Sequence, residues 1–145
     1  DLCMLHLDRR LTWGETKESV IQEIRETLGP EVDIAVPMYE KVSYTGKSFP
    51  QEKYFPTWKI EEDHPLVQAG SRGYKMLFQK NPVVDKWTFS TNAVSICGRY
   101  RIPTIGFGPG DETLAHAPNE RIPVDHLTQA AEFYTLLPYI LEGTL

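Results

Sequence analysis

The clearest periodic stretch of the chain is a run of apolar residues at helical spacing. It lies between Lys17 and Leu28, with Thr16 at a typical N-cap position and Gly29 and Pro30 directly after it. A polar cap, an apolar stripe and a terminal glycine are the usual signals of an amphipathic helix. The apolar stripe of this helix consists of Val20, Ile21, Ile24 and Leu28.

Further helices are predicted in the second half of the chain. Asp63 can cap one, residues 92–100 form another that Gly98 closes, and Asp125 can cap a last one that Pro138 ends or kinks. Caps of this kind satisfy the first free N–H groups of a helix, whereas proline removes an internal hydrogen bond. By the same reasoning, His64 and His126 are expected at helix starts.

Strands are predicted where apolar residues either run together or alternate. Residues 2–7 and 103–107 read as strands covered on both faces, and residues 32–38 alternate as a half-buried strand does. Residues 45–62 show no period and carry glycine and prolines, which is typical of a linker. We therefore expect an α/β fold in three parts: a strand–helix–strand unit over 1–44, a linker over 45–62, and a larger segment over 63–145.

Composition narrows the classes of function. With 145 residues, a net charge of −5 and a sequence pI near 5.4, the chain has the size of one domain and lacks the basic balance of a nucleic-acid-binding protein. No apolar run has the length of a membrane span, and no leader pattern is visible. Cys3 and Cys97 stand far apart, which favours buried thiols in a reducing cytoplasm over a disulfide.

His116 is the strongest candidate for site chemistry. It follows the glycine-rich loop 106–110 and stands in an Ala-His-Ala-Pro-Asn-Glu turn that ends at Glu120. Imidazole is the commonest metal ligand and an acid–base group near neutral pH. A loop histidine bonded to backbone is the alternative. Glu120 is a second ligand, a group that orients the first, or, more commonly for such a residue, a carboxylate placed near a helix N-terminus for electrostatic reasons. The loop itself is not a phosphate cradle, since Asp111 stands where the third glycine is needed.

Polar residues at two other points are weaker candidates. Ser90, Thr91 and Asn92 stand at a predicted strand-to-helix junction, where they either line a pocket or simply cap the helix. His6 and Asp8 have the spacing of a metal dyad, but the following arginines favour a salt bridge with Asp8. Arg10 is better interpreted as a clamp for a carboxylate, because its planar fork suits bidentate binding.

These segments together resemble the acetylornithine deacetylase, succinyl-diaminopimelate desuccinylase and aminoacylase family of two-zinc hydrolases, in particular the selenium-metabolism-linked hydrolases. Leu-Asp-Arg-Arg at 7–10 resembles the D-x-R strand of the family's lid, or dimerisation, domain. Phe-Ser-Thr-Asn-Ala-Val at 89–94, with Ile-Pro-Thr at 102–104, resembles the segment that returns to the catalytic domain. The stretch 106–120 resembles the family's final metal-ligand motif.

The resemblance implies a role for each matching residue. His116 would bind one zinc ion of a pair, Arg10 would hold the substrate carboxylate, and Ser90 with Thr91 would line the substrate pocket. Asn92 stands where the wider family commonly has aspartate. The family's H-x-D, bridging aspartate and Glu-Glu motifs have no counterpart among these 145 residues, so no catalytic residue is expected in this chain.

The resemblance also implies an overall architecture and activity. The chain would be the C-terminal part of a zinc-peptidase-like catalytic domain plus half of a ferredoxin-like lid, and inactive alone. The complete enzyme would hold two zinc ions (cobalt or manganese being possible), form a homodimer through the lid, and hydrolyse an amide bond in an N-acyl amino acid or small peptide. Two alternatives remain: a non-catalytic dimerisation or binding module, and a cysteine hydrolase using Cys97 and His6.

Overall fold

A computed structural model describes residues 2–144 as a mixed fold of helices and one small sheet. In chain order its elements are α1 (Lys17–Leu28), β1 (Met38–Tyr39), β2 (Gln51–Glu52), α2 (Pro65–Phe78), a π-helical turn (Val94–Arg99), a 3₁₀ turn (Glu112–Leu114) and α3 (Val124–Leu141). In the part of the chain described, no helix is both long and apolar enough to cross a membrane.

Helix α1 confirms the sequence prediction at both ends. The Thr16 hydroxyl accepts from the backbone N–H of Ser19 at 3.1 Å, and the Ser19 hydroxyl accepts from the backbone N–H of Thr16 at 2.9 Å. This reciprocal arrangement satisfies two N–H groups that the helix itself cannot. Gly29 ends the helix with a φ of 90°, a backbone conformation that residues with a Cβ rarely adopt.

An ion pair links the start of α1 to β2, which also pairs with β1. β1 and β2 pair antiparallel, with Met38 opposite Glu52 and Tyr39 opposite Gln51. The Lys17 ammonium group at the start of α1 contacts both carboxylate oxygens of Glu52, at 3.0 and 2.9 Å. One small sheet and one helix therefore form this part of the molecule.

The main apolar contact is between α2 and α3. Phe133 and Ile140 of α3 are buried, and they face two glycines of α2. A Cβ on Gly73 would lie 3.2 Å from Ile140 Cδ1, and a Cβ on Gly70 would lie 2.8 Å from Ile105 Cδ1. The glycines thus let apolar side chains approach the helix backbone closely, and this helix pair supports the loops that carry the candidate site.

Most of the predicted strand structure is wrong. Residues 2–7 and 103–107 are irregular, and of residues 32–38 only Met38 lies in a strand. A strand forms only where its backbone groups can pair with a neighbouring strand. Among the described residues, β1 and β2 pair in this way, and Val42 and Ser48 form an isolated bridge. Far from being covered, Leu2 is 91% exposed, and Cys3, predicted to be buried, is exposed as well.

Three details of the helices also differ from the prediction. Residues 94–99 form a π-helical turn, and Gly98 lies inside this turn and does not close it. A larger residue does not fit there, because a Cβ would lie 2.8 Å from the Pro56 carbonyl oxygen. The N-cap of α2 is His64, one residue after the predicted Asp63, and that of α3 is Pro123, two residues before the predicted Asp125. Pro138 does not end α3, which continues to Leu141. The placement of His64 and His126 at helix starts is confirmed.

Candidate functional site

His116 lies in a tight turn that its neighbours hold in place. The preceding 3₁₀ turn is capped by Asp111, whose carboxylate accepts from the N–H of Thr113 at 2.9 Å. His116 itself has a φ of 61°, in the left-handed region that is uncommon for residues other than glycine. The side chain is exposed. A residue held in this conformation is a candidate for function, since such strain is frequent at sites.

Glu120 stabilises this turn through the main chain. Its carboxylate accepts from the backbone N–H of His116 at 3.1 Å. The Glu120 carboxylate therefore bonds the backbone of His116 and not the imidazole nitrogens. In the described hydrogen-bond network, neither ring nitrogen of His116 is bonded to a carboxylate.

A second segment, residues 87–92, lies beside this turn. The Phe89 ring meets the His116 ring edge to face, with centroids 5.8 Å apart. Glu112 accepts weakly from both the N–H and the hydroxyl of Thr88, at 3.4 and 3.3 Å. The fold thus brings together two of the three segments that the sequence singled out.

The predicted pocket residues follow at the end of the 87–92 segment. The Thr91 hydroxyl accepts from the backbone N–H of Ala93 at 3.2 Å, and the Asn92 carbonyl accepts from the N–H of Ser95 at 3.0 Å. Ser90 and Asn92 are exposed, whereas Thr91 is half-buried. The N-cap of the following turn is Ala93 and no side chain caps it, so Thr91 bonds the backbone just before the turn, while Ser90 and Asn92 are open to solvent.

Helix α3 anchors the glycine-rich loop that leads to His116. Tyr134 donates a hydrogen bond from its hydroxyl to the carbonyl of Phe107, and the rings of Phe107 and Phe133 lie 4.2 Å apart. The N–H of Gly110 is 3.3 Å from Nδ1 of His126. Sequence reasoning missed these anchoring roles, because tyrosine and histidine on a helix carry no signal of which loop they will meet.

Arg10 lies apart from this region. Its Nε is 3.6 Å from Asp8, and both side chains are more than 80% exposed (82% and 83%), so the ion pair is a loose surface contact. It agrees with the salt-bridge interpretation of the His6–Asp8 pair. In residues 2–144 no hydrogen bond, ion pair or ring contact joins Arg10 to His116 or to the 87–92 segment. Its role as a clamp remains a prediction.

The neighbouring Arg9 is committed to structure. It forms ion pairs with Glu15 and with Glu23, the latter at 2.9 Å, and these bonds raise the pKa of the guanidinium group. The pKa of Glu15 falls to about 2, first because the Thr12 N–H donates to its carboxylate and second because Arg9 does. Arg10, in contrast, makes the loose surface contact with Asp8 described above.

The described side chains do not form a complete metal site around His116. Within residues 2–144 no three His, Cys, Asp or Glu side chains cluster closely enough to hold one. An exposed histidine fits the chemistry of a single zinc ligand, but a catalytic zinc site needs three protein ligands. Cys97 is buried and its thiol is free, and no described contact joins it to His6.

Comparison with known proteins identifies the family. A model of peptidase family M20/M25/M40 matches residues 12–139, which is most of the chain. The chain belongs to this family. Peptidases of the family are generally metal-dependent, and zinc is the usual metal. The suspected resemblance is thereby confirmed, because the deacylases to which the motifs were compared are hydrolases of this family.

Individual relatives agree with the family assignment. The uncharacterized protein YgeY of Escherichia coli K12 is 53% identical over 141 residues, covering 95% of this chain and 35% of its own length. A putative LysW-lysine/LysW-ornithine hydrolase of Pyrococcus furiosus is 30% identical over 79 residues, covering 54% of this chain and 24% of its own length. N-formyl-4-amino-5-aminomethyl-2-methylpyrimidine deformylase of Bacillus subtilis is 24% identical over 134 residues, covering 89% of this chain and 31% of its own length.

The chain spans about a third of the length of the curated relatives it matches. No solved structure matches it. The family assignment therefore rests on sequence similarity, and the geometry of the candidate site comes from this chain alone.

Proposed function

We propose that this chain is the C-terminal part of a zinc-dependent hydrolase that cleaves an amide bond in an N-acyl amino acid or small peptide. Residues 1–44 would be half of a lid domain, 45–62 a linker, and 63–145 part of the catalytic domain. The observation that carries the proposal is the meeting of Phe89 and His116 at 5.8 Å in a chain that belongs to the M20 family. It puts the proposed metal ligand beside the proposed substrate-binding segment.

In this proposal each residue has one task. His116 supplies an imidazole to one of two zinc ions, which would polarise the carbonyl and activate water when bound. Ser90, Thr91 and Asn92 contact the substrate at the exposed end of the 87–92 segment. Arg10 holds the substrate carboxylate from the lid, either in its own subunit or across a homodimer, since its side chain is exposed and Arg9 is not available. The other metal ligands and the general base would come from the preceding part of the protein.

Two relatives support the class of reaction. One is named as a hydrolase of LysW-linked lysine or ornithine, and the other as a deformylase of an N-formyl compound. Both names describe hydrolysis, and the second describes removal of an acyl group from nitrogen. We extend that class of substrate to the protein that contains this chain, and we place it in the cytoplasm because the sequence carries two free thiols.

The test compares His116 with a histidine outside the site. In the intact protein, metal content is measured together with hydrolysis of a panel of N-acetyl amino acids. We expect about two zinc ions per subunit. His116→Asn should reduce metal content and lower kcat/KM by more than about 100-fold. Loss of a residue that only hydrogen-bonds to a metal ligand already lowers metal affinity or activity by about 10–100-fold. His6→Asn is the matched control, since His6 is exposed and far from the turn in sequence.

Each outcome has a clear meaning. Loss of metal in His116→Asn but not in His6→Asn supports the assignment of His116. An intact protein that binds no metal would instead favour a non-catalytic module, and activity that survives chelation but not thiol alkylation would favour Cys97. Hydrolysis by the isolated 145-residue chain after metal loading would contradict the proposal that it is inactive alone.

A further inference from the structure

The glycine-rich loop before His116 ends in a hydrogen bond that depends on a neutral histidine. Gly110 has a φ of 105°, a conformation available to glycine, and this turns its N–H toward Nδ1 of His126 at 3.3 Å. A ring nitrogen accepts a hydrogen bond only when it carries no proton. The neutral ring therefore has its proton on Nε2, and protonation at Nδ1 would replace the acceptor by a second donor.

We propose that His126 is a positioning residue that holds the glycine-rich loop on α3, and that its protonation releases the loop. This deepens the proposed function, because the loop leads directly to His116. The other end of the loop is held by a bond of a different kind, which the Tyr134 hydroxyl donates to the Phe107 carbonyl. Release would therefore affect the Gly110 end, which is the end nearer to His116 along the chain.

Three charged residues lie near His126. Asp111 and Arg121 line the same cavity of about 410 Å³, and Asp125 precedes His126 in the first turn of α3. The hydroxyl and N–H of Thr113 both donate to Asp111 and lower the pKa of its carboxyl group. These hydrogen bonds favour the charged form of Asp111, so its carboxylate is a negative neighbour of His126.

A second histidine makes the same kind of bond elsewhere and serves as an internal control. Nδ1 of His64 accepts from the N–H of Leu66 at 3.1 Å at the start of α2. It caps a helix and is not bonded to the loop. A change that affects the loop only when it is made at His126 cannot be a general result of removing an imidazole.

The experiment follows four forms of the chain by amide NMR: the wild type, His126→Asn, His126→Leu and His64→Asn. Asn Oδ1 occupies the place of the imidazole Nδ1, so His126→Asn keeps an acceptor that does not titrate, whereas His126→Leu removes it. In the wild type, the Gly110 amide proton should shift when the pH is lowered until Nδ1 of His126 gains a proton. The shift should disappear in His126→Asn and remain in His64→Asn.

Hydrogen exchange measures the anchoring itself. At about pH 8, where histidine is neutral, the Gly110 amide should exchange about three- to tenfold faster in His126→Leu than in the wild type, as expected for loss of one hydrogen bond. His126→Asn should exchange at the wild-type rate. Equal exchange in His126→Leu and the wild type, or a pH-dependent Gly110 shift that persists in His126→Asn, would overturn the proposal. Neither readout involves metal or substrate, so it can fail or succeed independently of the hydrolase assignment.

Discussion

The contact between Trp87 and Gly106 offers a direct test of how the two site segments are held together. A Cβ on Gly106 would overlap the far end of the Trp87 ring. Gly106→Ala should therefore push the ring away and loosen the 87–92 segment, which carries Phe89 and the proposed pocket residues. Gly108→Ala is the matched control, because nothing lies within 4 Å of a Cβ at that position and its φ is not positive.

The size of the effect follows from how much of the tryptophan is buried. Trp87 is 50% exposed, and a tryptophan side chain buries up to about 250 Å². About 125 Å² of contact is then at stake, which corresponds to about 3 kcal/mol at about 25 cal/mol per Å². This is an upper limit, since a displaced ring finds other apolar contacts. We expect a loss of about 1–3 kcal/mol in Gly106→Ala, and no loss or a gain of about 0.4–1 kcal/mol in Gly108→Ala.

Two measurements follow the perturbation. Urea unfolding monitored by far-UV circular dichroism gives the change in the free energy of unfolding. The three indole N–H resonances report on Trp13, Trp58 and Trp87 separately, so the first two act as internal references. The Trp87 resonance should move in Gly106→Ala alone. If the two variants have the same stability and the same Trp87 resonance, the ring does not lie over Gly106 and the reasoning is wrong.

Two further predictions concern the support of the site. Phe133→Ala should lower the free energy of unfolding by about 3–5 kcal/mol, since the side chain is 3% exposed and packs on Phe107. Leu127→Ala on the same helix is the control and should change it by about 0.5 kcal/mol or less, since Leu127 is 52% exposed. Equal losses in urea unfolding would contradict the core described here. In Arg9→Gln the pKa of the Glu15 carboxyl should rise from about 2 but stay below 4.5, because the Thr12 N–H still donates to it. The lowered pKa of Glu15 contributes stability that is complete above its ordinary value and is lost as pH falls toward 2, and carboxyl ¹³C NMR titration measures both forms.

Local sequence determined the helices and the residues that begin and end them. The capping box of α1 and the end of that helix at Gly29 are as predicted, because caps and internal hydrogen bonds involve residues only a few positions apart. The motif around His116 could also be recognised from residue types and order alone. The errors at α2 and α3 are shifts of one or two residues in the cap position.

Tertiary structure decided everything that depends on a distant partner. Residues 2–7 and 103–107 have strand-like sequences, yet a strand forms only beside another strand, and none of the described residues pairs with them. In the same way, nothing local shows that Phe89 lies against His116, or that His126 and Tyr134 hold the glycine-rich loop. The sequence by itself determined which residues can do chemistry and which helices form. The packing of α2 and α3 decided which of those residues meet, because contacts between segments far apart in the chain depend on how the apolar faces fit together.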